Sequence, residues 1–377
     1  MNSASNKIKL HWTTKDRDAH GNGLGYSLHD RMMKKYSEPY FDYDENAEIA
    51  LHIVAGDVFK PIPHKFNILF TMWEFLDVPN SYIRSLNMAD AIIVPCRFCK
   101  EIFRKYTNKP IYVCQEGIEP ENFPFYDRKE HPTKKFRFLW VGAPNMRKGY
   151  PFILEAIKMF CRTKEIEVYI KTTIPRVDTA ELMKNALNMC DEKVKAAEAR
   201  TAERIEKGMK MDTITVLGEH ENIIFDTRKI DIAGLRELYN SANCFILPTM
   251  GEGWGLTLCE AMATGAPCIA TNITGVQEYF NSEVGFEIQH SIQEIDLAEQ
   301  YGIRARSYVP IMQDVVNNMA AVMRFYPVAL HKGKKASERI HKKFTWTRSG
   351  QRLFDIINEL QAEFVTKGKE NALIDRR

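Results

Sequence analysis

The sequence predicts an α/β protein of two doubly wound domains, and three observations carry that expectation. Short apolar runs alternate with helical stretches through the first half. The alternation pauses in a polar, proline-containing stretch at 119–135 and then resumes through the second half. A chain of 377 residues also suits two domains, each large enough to bury its own core. The boundaries read as 1–130 for the first domain, 131–345 for the second and 346–377 for a terminal helical segment.

In the first half the strand-like runs are Ile8 to Trp12, Ile49 to Val54, Phe66 to Thr71, Ala91 to Pro95 and Pro110 to Cys114. After the pause come Phe136 to Val141, Ile166 to Lys171, Thr213 to Leu217, Cys244 to Leu247 and Pro267 to Ala270. Strands separated by helices make parallel sheets, because a crossover long enough to return to the same edge is usually a helix. Between two of these strands, Thr179 to Met211 is rich in Ala, Glu, Lys, Arg and Met and has no Pro or Gly until Gly208, so it reads as a charged helical insertion. From Thr345 onward, Leu353, Phe354, Ile356, Ile357, Leu360 and Phe364 fall at helical spacing on one face, and Lys367 to Arg377 reads as a frayed end.

Composition excludes several classes. Hydrophobic residues at 45% and charged residues at 27% are those of a folded globular chain, not a disordered or fibrous one. The 52 basic and 49 acidic side chains leave a formal charge of only +3, far from the field of a general nucleic-acid binder. The eight cysteines are scattered and several lie in apolar runs, which reads as buried thiols in a reducing compartment. Cys96 and Cys99 form a C-x-x-C without a second ligand pair at zinc spacing. The first residues lack the basic and apolar regions of a signal peptide and no run approaches a membrane span, so a cytoplasmic protein is expected, with at most peripheral membrane contact.

The most informative stretch runs from Phe245 to Gly265: an apolar strand, a loop with Gly251, Gly253 and Gly255 around Glu252 and Trp254, then a helix opening at Leu256 and Thr257. Alternating glycines let the backbone approach a ligand, and the helix end offers unpaired N–H groups and a positive dipole to an anion such as a diphosphate. Glu260 lies about one turn into that helix, where side chains lean back toward the N-terminus, so Glu252 and Glu260 are expected to face one cleft. A carboxylate can accept from two neighbouring hydroxyls, which suits Glu260 to a ribose and Glu252 to a sugar.

A second strand, loop and helix spans Trp140 to Ala156, with Gly142 at the strand end and Arg147 and Lys148 at the turn. Two fixed cations there would neutralise charge on a leaving diphosphate. In the first domain, the glycine-rich run from His20 to Tyr26, with Asn22, Gly23 and Gly25, follows the first strand and is expected to bring backbone amides to a phosphate or acceptor. Glu74 follows the Phe66 to Thr71 strand, where ligands gather in open α/β sheets. Asp42-Tyr-Asp44, an Asp-x-Asp that elsewhere holds metal and diphosphate, has no apolar strand leading into it and reads as a polar loop.

With these residues in view, the chain resembles the GT-B glycosyltransferases of family 4, whose pattern is a Glu, seven intervening residues and a second Glu. Glu252 and Glu260 match that spacing. The resemblance extends to Thr71-Met-Trp-Glu74, Ala89 to Pro95, Glu116-Gly-Ile-Glu119, the Arg147-Lys148-Gly149 turn and Gly275-Val-Gln-Glu278. It implies two Rossmann-like domains facing a cleft, with a nucleotide-diphosphate sugar bound mainly by the second domain and an acceptor by the first. It also implies a final helix crossing back to the first domain, transfer with retention of the anomeric configuration, and no essential metal or other cofactor. Arg147, Lys148 and Glu252 would be the catalytic groups. Many members carry an Arg directly after the glycine matched by Gly142, where this chain has Ala143.

The acceptor is less legible. A glycan or glycoconjugate is the first expectation. The basic cluster of Lys332, Lys334, Lys335, Arg339, Lys342 and Lys343 keeps open a surface for DNA phosphates or an anionic membrane, and with it a viral-type enzyme that glycosylates a modified base. Other classes remain as alternatives: a sugar-nucleotide epimerase should lack the Glu pair, a phosphorylase should carry a cofactor lysine motif, and a non-catalytic binding module should have lost Glu252, Glu260, Arg147 and Lys148.

Overall fold

The computed structural model describes residues 7–14, 24–129, 135–160, 165–172, 214–217, 222–297 and 301–374. The charged stretch 179–211, Asn22 and Gly23 lie outside these residues. The chain divides into two compact units: residues 1–117 with 296–305 and 343–377, and residues 118–295 with 306–342. The proline-containing stretch after Gly117 therefore counts with the second unit, and the terminal helix with the first.

The first unit is built on six parallel strands: β1 (Ile8–Trp12), β2 (Phe41–Tyr43), β3 (Ile49–Ile53), β4 (Phe66–Phe70), β5 (Ala91–Val94) and β6 (Ile111–Val113), in the order β2-β1-β3-β4-β5-β6. Strands buried on both faces carry continuous apolar runs, and Ile49–Ile53 and Ala91–Val94 are buried throughout. Around the sheet lie α1 (Leu24–Ser37), α2 (Asn80–Met88) and α3 (Arg97–Phe103). Asp42, expected in a loop, lies in the edge strand β2, and Asp44 just beyond it pairs with Lys9 at 3.2 Å. Three residues are too few to show an alternation, so only pairing with β1 reveals that strand.

The second unit has seven strands: β7 (Phe136–Val141), β8 (Ile166–Lys171), β9 (Ile214–Leu217), β10 (Ile223–Asp226), β11 (Cys244–Leu247), β12 (Cys268–Thr271) and β13 (Phe286–Ile288). Their order is β13-β12-β11-β7-β8-β10-β9, parallel except for the edge strand β9. Setting β9 aside, strands are added outward on one side of β7 and then on the other, so the order reverses between β7 and β11. Ligands of open α/β sheets bind beyond the carboxyl ends of the strands at that switch point. The helices here are α4 (Tyr150–Phe160), α5 (Ile232–Ser241), α6 (Leu256–Ala263), α7 (Met312–Arg324) and α8 (Tyr326–Lys343). A two-stranded ribbon, β14 (His290–Leu297) with β15 (Ile303–Pro310), was not legible beforehand. No residue of β14 is buried, and in β15 the buried Ala305, Ser307 and Pro310 alternate with or follow polar and exposed ones, so neither strand carries an unbroken apolar run.

The last helix, α9 (Trp346–Ile374), runs on past Lys367, where fraying was expected; apart from Gly368, the residues there are ordinary helix formers. Leu353, Ile356, Ile357 and Leu360 are buried, as their spacing predicts. Phe354 stacks on Tyr40 at 5.1 Å, and α9 lies close against α1. Gly350 marks the tightest approach: a Cβ there would stand 2.1 Å from the Tyr36 carbonyl oxygen. Among the described residues no helix is long and apolar enough to cross a membrane.

Replacing Gly350 with Ala tests this contact. Ala gains about 1 kcal/mol over Gly in a helix interior, but forcing a methyl into backbone costs about 1–3 kcal/mol. Urea unfolding of Gly350→Ala should show a net loss of stability, and a gain would contradict the close packing of α9 on α1.

Candidate active site

At the switch point of the second unit the loops after β7 and β11 are laced together. The Met250 N–H donates to the Arg147 carbonyl at 2.8 Å, and Arg147 Nη1 donates to the Gly251 carbonyl at 2.8 Å. The two backbones come so near that position 149 admits no side chain. Gly149 has φ +75°, and a Cβ would sit 2.0 Å from the Pro248 carbonyl oxygen. The fully buried Trp140 supports the turn from below, its Nε1 donating to the Lys148 carbonyl at 3.1 Å.

This lacing brings together Arg147, Lys148 and Glu252, which lie more than 100 residues apart in sequence. Lys148 Nζ is 2.6 Å from Glu252 Oε2 and Arg147 Nη1 is 3.4 Å from the same oxygen. Thr249 Oγ1 lies 3.1 Å from Glu252 Oε1. The Glu252 side chain is 3% exposed, whereas those of Arg147 and Lys148 are 27% and 20% exposed. Burial alone would raise the Glu252 carboxyl; the Lys148 ammonium and then the Arg147 guanidinium outweigh it and hold the group below its ordinary value. The carboxylate is therefore ionised at neutral pH, and two cations against one anion leave a net positive charge at a partly open position.

The Glu252 backbone is held as firmly. Its N–H donates to Thr274 Oγ1 at 2.9 Å, and its carbonyl accepts from the Gly275 N–H at 2.9 Å. Thr274, at the start of a 3-10 turn (Thr274–Glu278) after β12, has φ +50°, a left-handed conformation that is costly for a β-branched residue. Strain of this kind persists where surrounding contacts over-determine it, as the two bonds to Glu252 do here.

The β11 loop ends at Gly255, whose φ of +96° turns the chain into α6 as its N-cap. Tyr279 Oη, 2.9 Å from the carbonyls of both Trp254 and Gly255, fixes that turn. The indole of Trp254 is 2% exposed and lies against the Tyr279 ring at 5.1 Å, so it supports the loop from inside. Leu256 and Thr257 open the helix, half-buried, and Thr257 Oγ1 is buried without a partner among the described residues. Gly253 is buried in the loop, and the Gly142 N–H is taken by the Lys171 carbonyl at 3.0 Å.

Glu260 is buried in α6 and accepts a hydrogen bond from Tyr239 Oη at 2.8 Å. The structure gives the two glutamates separate partners, Glu252 the cations and Glu260 a tyrosine. Burial pushes the Glu260 carboxyl up to about 7, against the opposing effect of the Tyr239 hydrogen bond. Of the first-domain candidates, Gly25 lies in the first turn of α1, not in a loop, because Leu24 already begins the helix; Glu74 is half-buried beyond β4. The roles of Thr249, Thr274, Tyr239 and Trp140 carried no spacing signal, since each lies in a different element and acts through a contact with another. The basic cluster is partly spoken for: Arg339 bonds Tyr279 O, Asn281 and Glu283, and Lys332 donates to Ser282 O. Cys96, Cys99, Cys114, Cys244, Cys259 and Cys268 are buried free thiols, and among the described residues no group of three or more His, Cys, Asp or Glu is placed to hold a metal ion.

A doubly wound unit that joins a basic loop to a carboxylate loop at its switch point, in a chain that also holds a unit with a parallel six-stranded sheet, has the makings of a GT-B glycosyltransferase. Residues 135–300, which hold both loops, match the family described as Glycosyl transferases group 1, and this segment belongs to it. Over 83 residues the chain is 36% identical to the lipopolysaccharide core biosynthesis mannosyltransferase LpsB of Rhizobium meliloti (strain 1021), covering 22% of this chain and 20% of that one. Over 52 residues it is 42% identical to the capsular polysaccharide biosynthesis glycosyltransferase CapM of Staphylococcus aureus, 14% of each chain. The chain thus spans a third or less of the curated relatives it matches. The fold is shared more widely. HepE of Anabaena, solved in complex with UDP and glucose, aligns with a TM-score of 0.62 at 10% identity over 93% of this chain and 99% of that one. Sucrose-phosphate synthase of Thermosynechococcus elongatus aligns with a TM-score of 0.57 at 16% identity over 90% and 80%.

The raised Glu260 carboxyl gives a stability signature. The fold favours its neutral form, so its contribution is complete below the unfolded value and is lost as pH rises through the folded value of about 7. Wild type should lose stability relative to Glu260→Gln between about pH 5 and about pH 8. Thermal midpoints of the two proteins across that range should diverge; parallel curves would mean that Glu260 is not held neutral.

Proposed function

We propose that the protein transfers a hexose from a nucleotide-diphosphate sugar, with a uridine or guanosine base, to a hydroxyl of a glycan or glycoconjugate, with retention of configuration. The observation that carries this reading is the net positive triad of Arg147, Lys148 and Glu252 at the β7/β11 switch point, beside the α6 N-terminus. That the curated relatives include enzymes named as mannosyltransferases, and that HepE was solved with UDP and glucose, supports the same class of donor.

In this reading the diphosphate lies against Arg147 and Lys148, with the backbone of the Gly253–Gly255 loop, the first turn of α6 and Thr257 Oγ1 completing its cradle. As the bond from anomeric carbon to diphosphate breaks, negative charge grows on the leaving oxygen. The two cations stabilise it without reorganising, because Trp140, Glu252 and the Gly251 carbonyl already hold them in place. The acceptor hydroxyl adds to the same face of the sugar and passes its proton to an oxygen of the departing diphosphate. Glu252 meets the transferred sugar and Glu260 the ribose. The charge comes from side chains, so the reaction should run without an added metal, and chelation should leave turnover unchanged.

Nucleotide release measured with UDP-, GDP- and ADP-sugars, with glycan acceptors and with duplex DNA, tests the reading. Release with one donor, accelerated by a glycan, is expected. No release with any donor would overturn it, and acceleration by DNA alone would reassign the acceptor. Lys148→Ala and Glu252→Ala should each lower turnover by roughly 100-fold or more, while Glu260→Ala should chiefly raise the KM for the donor. Unchanged kinetics in all three would refute the site.

A further inference from the structure

We propose that Tyr239 is a positioning residue for donor binding: its hydroxyl fixes one oxygen of Glu260 so that the other is presented to the ribose diol of the nucleotide. The inference rests on the reading of Glu260 given above and concerns a residue outside the glutamate and lysine pattern. Tyr239 lies on α5, fully buried, its ring set against Phe123 and Phe245 at 6.0 and 5.8 Å. Its carbonyl is tied to Arg128 Nη2 at 2.8 Å, so neither backbone nor ring is free to shift. From this fixed point Oη donates to Glu260 Oε2 at 2.8 Å.

The terminal torsion of a glutamate is broad, so an unanchored carboxylate swings about its last bond and offers no fixed pair of lone pairs. One hydrogen bond to Oε2 sets the carboxylate plane. Oε1 takes no hydrogen bond from any described residue and keeps its full accepting capacity. A diol is recognised by two acceptors at defined positions, which a set plane supplies.

The same bond decides which protonation state binds. A protonated Glu260 offers fewer acceptor sites, and burial holds this group near neutrality while the Tyr239 hydroxyl favours the ionised form. Three other titratable groups in this region keep their charge state across that range. Arg128, bonded to the carbonyls of Tyr239, Ala242 and Thr264, is lowered by burial only to about 10. The thiols of Cys244 and Cys268 are pushed up by burial and stay neutral. Tyr239 itself is raised well above its ordinary value by burial and by the Glu260 carboxylate, so it remains a donor.

The test is titration calorimetry of the full chain with UDP and with GDP, from about pH 6 to about pH 9, for wild type, Tyr239→Phe and Glu260→Gln. Dividing each affinity by that of Glu260→Gln cancels the nucleotide's own phosphate titration. Wild-type affinity should then rise through a midpoint near 7. In Tyr239→Phe the midpoint should move up by about one pH unit, weakening binding several-fold at neutral pH and much less at pH 9. Thermal unfolding of each variant separates folding from binding: a lowered Tm in Tyr239→Phe with the wild-type pH midpoint would overturn the positioning role and leave a structural one. Equal affinities for wild type and Glu260→Gln would remove Glu260 from the ribose and the inference with it. No binding of either nucleotide to wild type would overturn the donor reading itself.

Discussion

The contact on which the second unit's site depends is the pairing of Glu252 with Lys148 and Arg147 across the loops after β7 and β11. Placing a carboxylate at 3% exposure is costly unless it is paired and hydrogen-bonded, and here two cations and the Thr249 hydroxyl meet that demand. The cations are held in turn, so neither is a flexible surface charge. The arrangement is pre-organised for an anion because the charge surplus lies on the partly exposed members of the triad and its counter-charge on the buried one.

Local strain is concentrated around that contact. Thr274 in the left-handed region and Gly149 without room for a side chain are set by neighbouring backbone, and Gly255 at the helix start by the Tyr279 hydroxyl, not by local preference. Such positions are kept where the surroundings over-determine them, and all three flank the same carboxylate loop. Glu260 shows the complementary device. Burial holds a carboxyl close to neutrality, at a cost to stability as pH rises, beside a tyrosine that sets its orientation.

Comparison of the residues with their surroundings shows where a sequence is readable. Ile49–Ile53 and Ala91–Val94 were legible as strands because burial on both faces demands unbroken apolar runs. The strand β2 and the ribbon of β14 and β15 were not, since short or exposed strands carry little hydrophobic signal. Glycine spacing located the Glu252 loop, and Arg147 and Lys148 were visible as a basic turn. Nothing in the spacing revealed that Lys148 reaches Glu252, that Trp140 supports Lys148, or that Tyr239 reaches Glu260, for these are contacts between separate elements.

The sequence by itself determined the α/β alternation, the parallel sheets apart from the antiparallel edge strand β9, the apolar face of α9 and the chemical inventory of the site. These follow from hydrophobic periodicity and backbone preference, which act over a few residues. Only the tertiary structure decided the strand order that places the switch point between β7 and β11, the ionised state of Glu252 and the near-neutral state of Glu260. A carboxyl's charge depends on how deeply it is buried and on which cation or hydroxyl lies within about 3 Å of it, and both are set by residues distant in the chain.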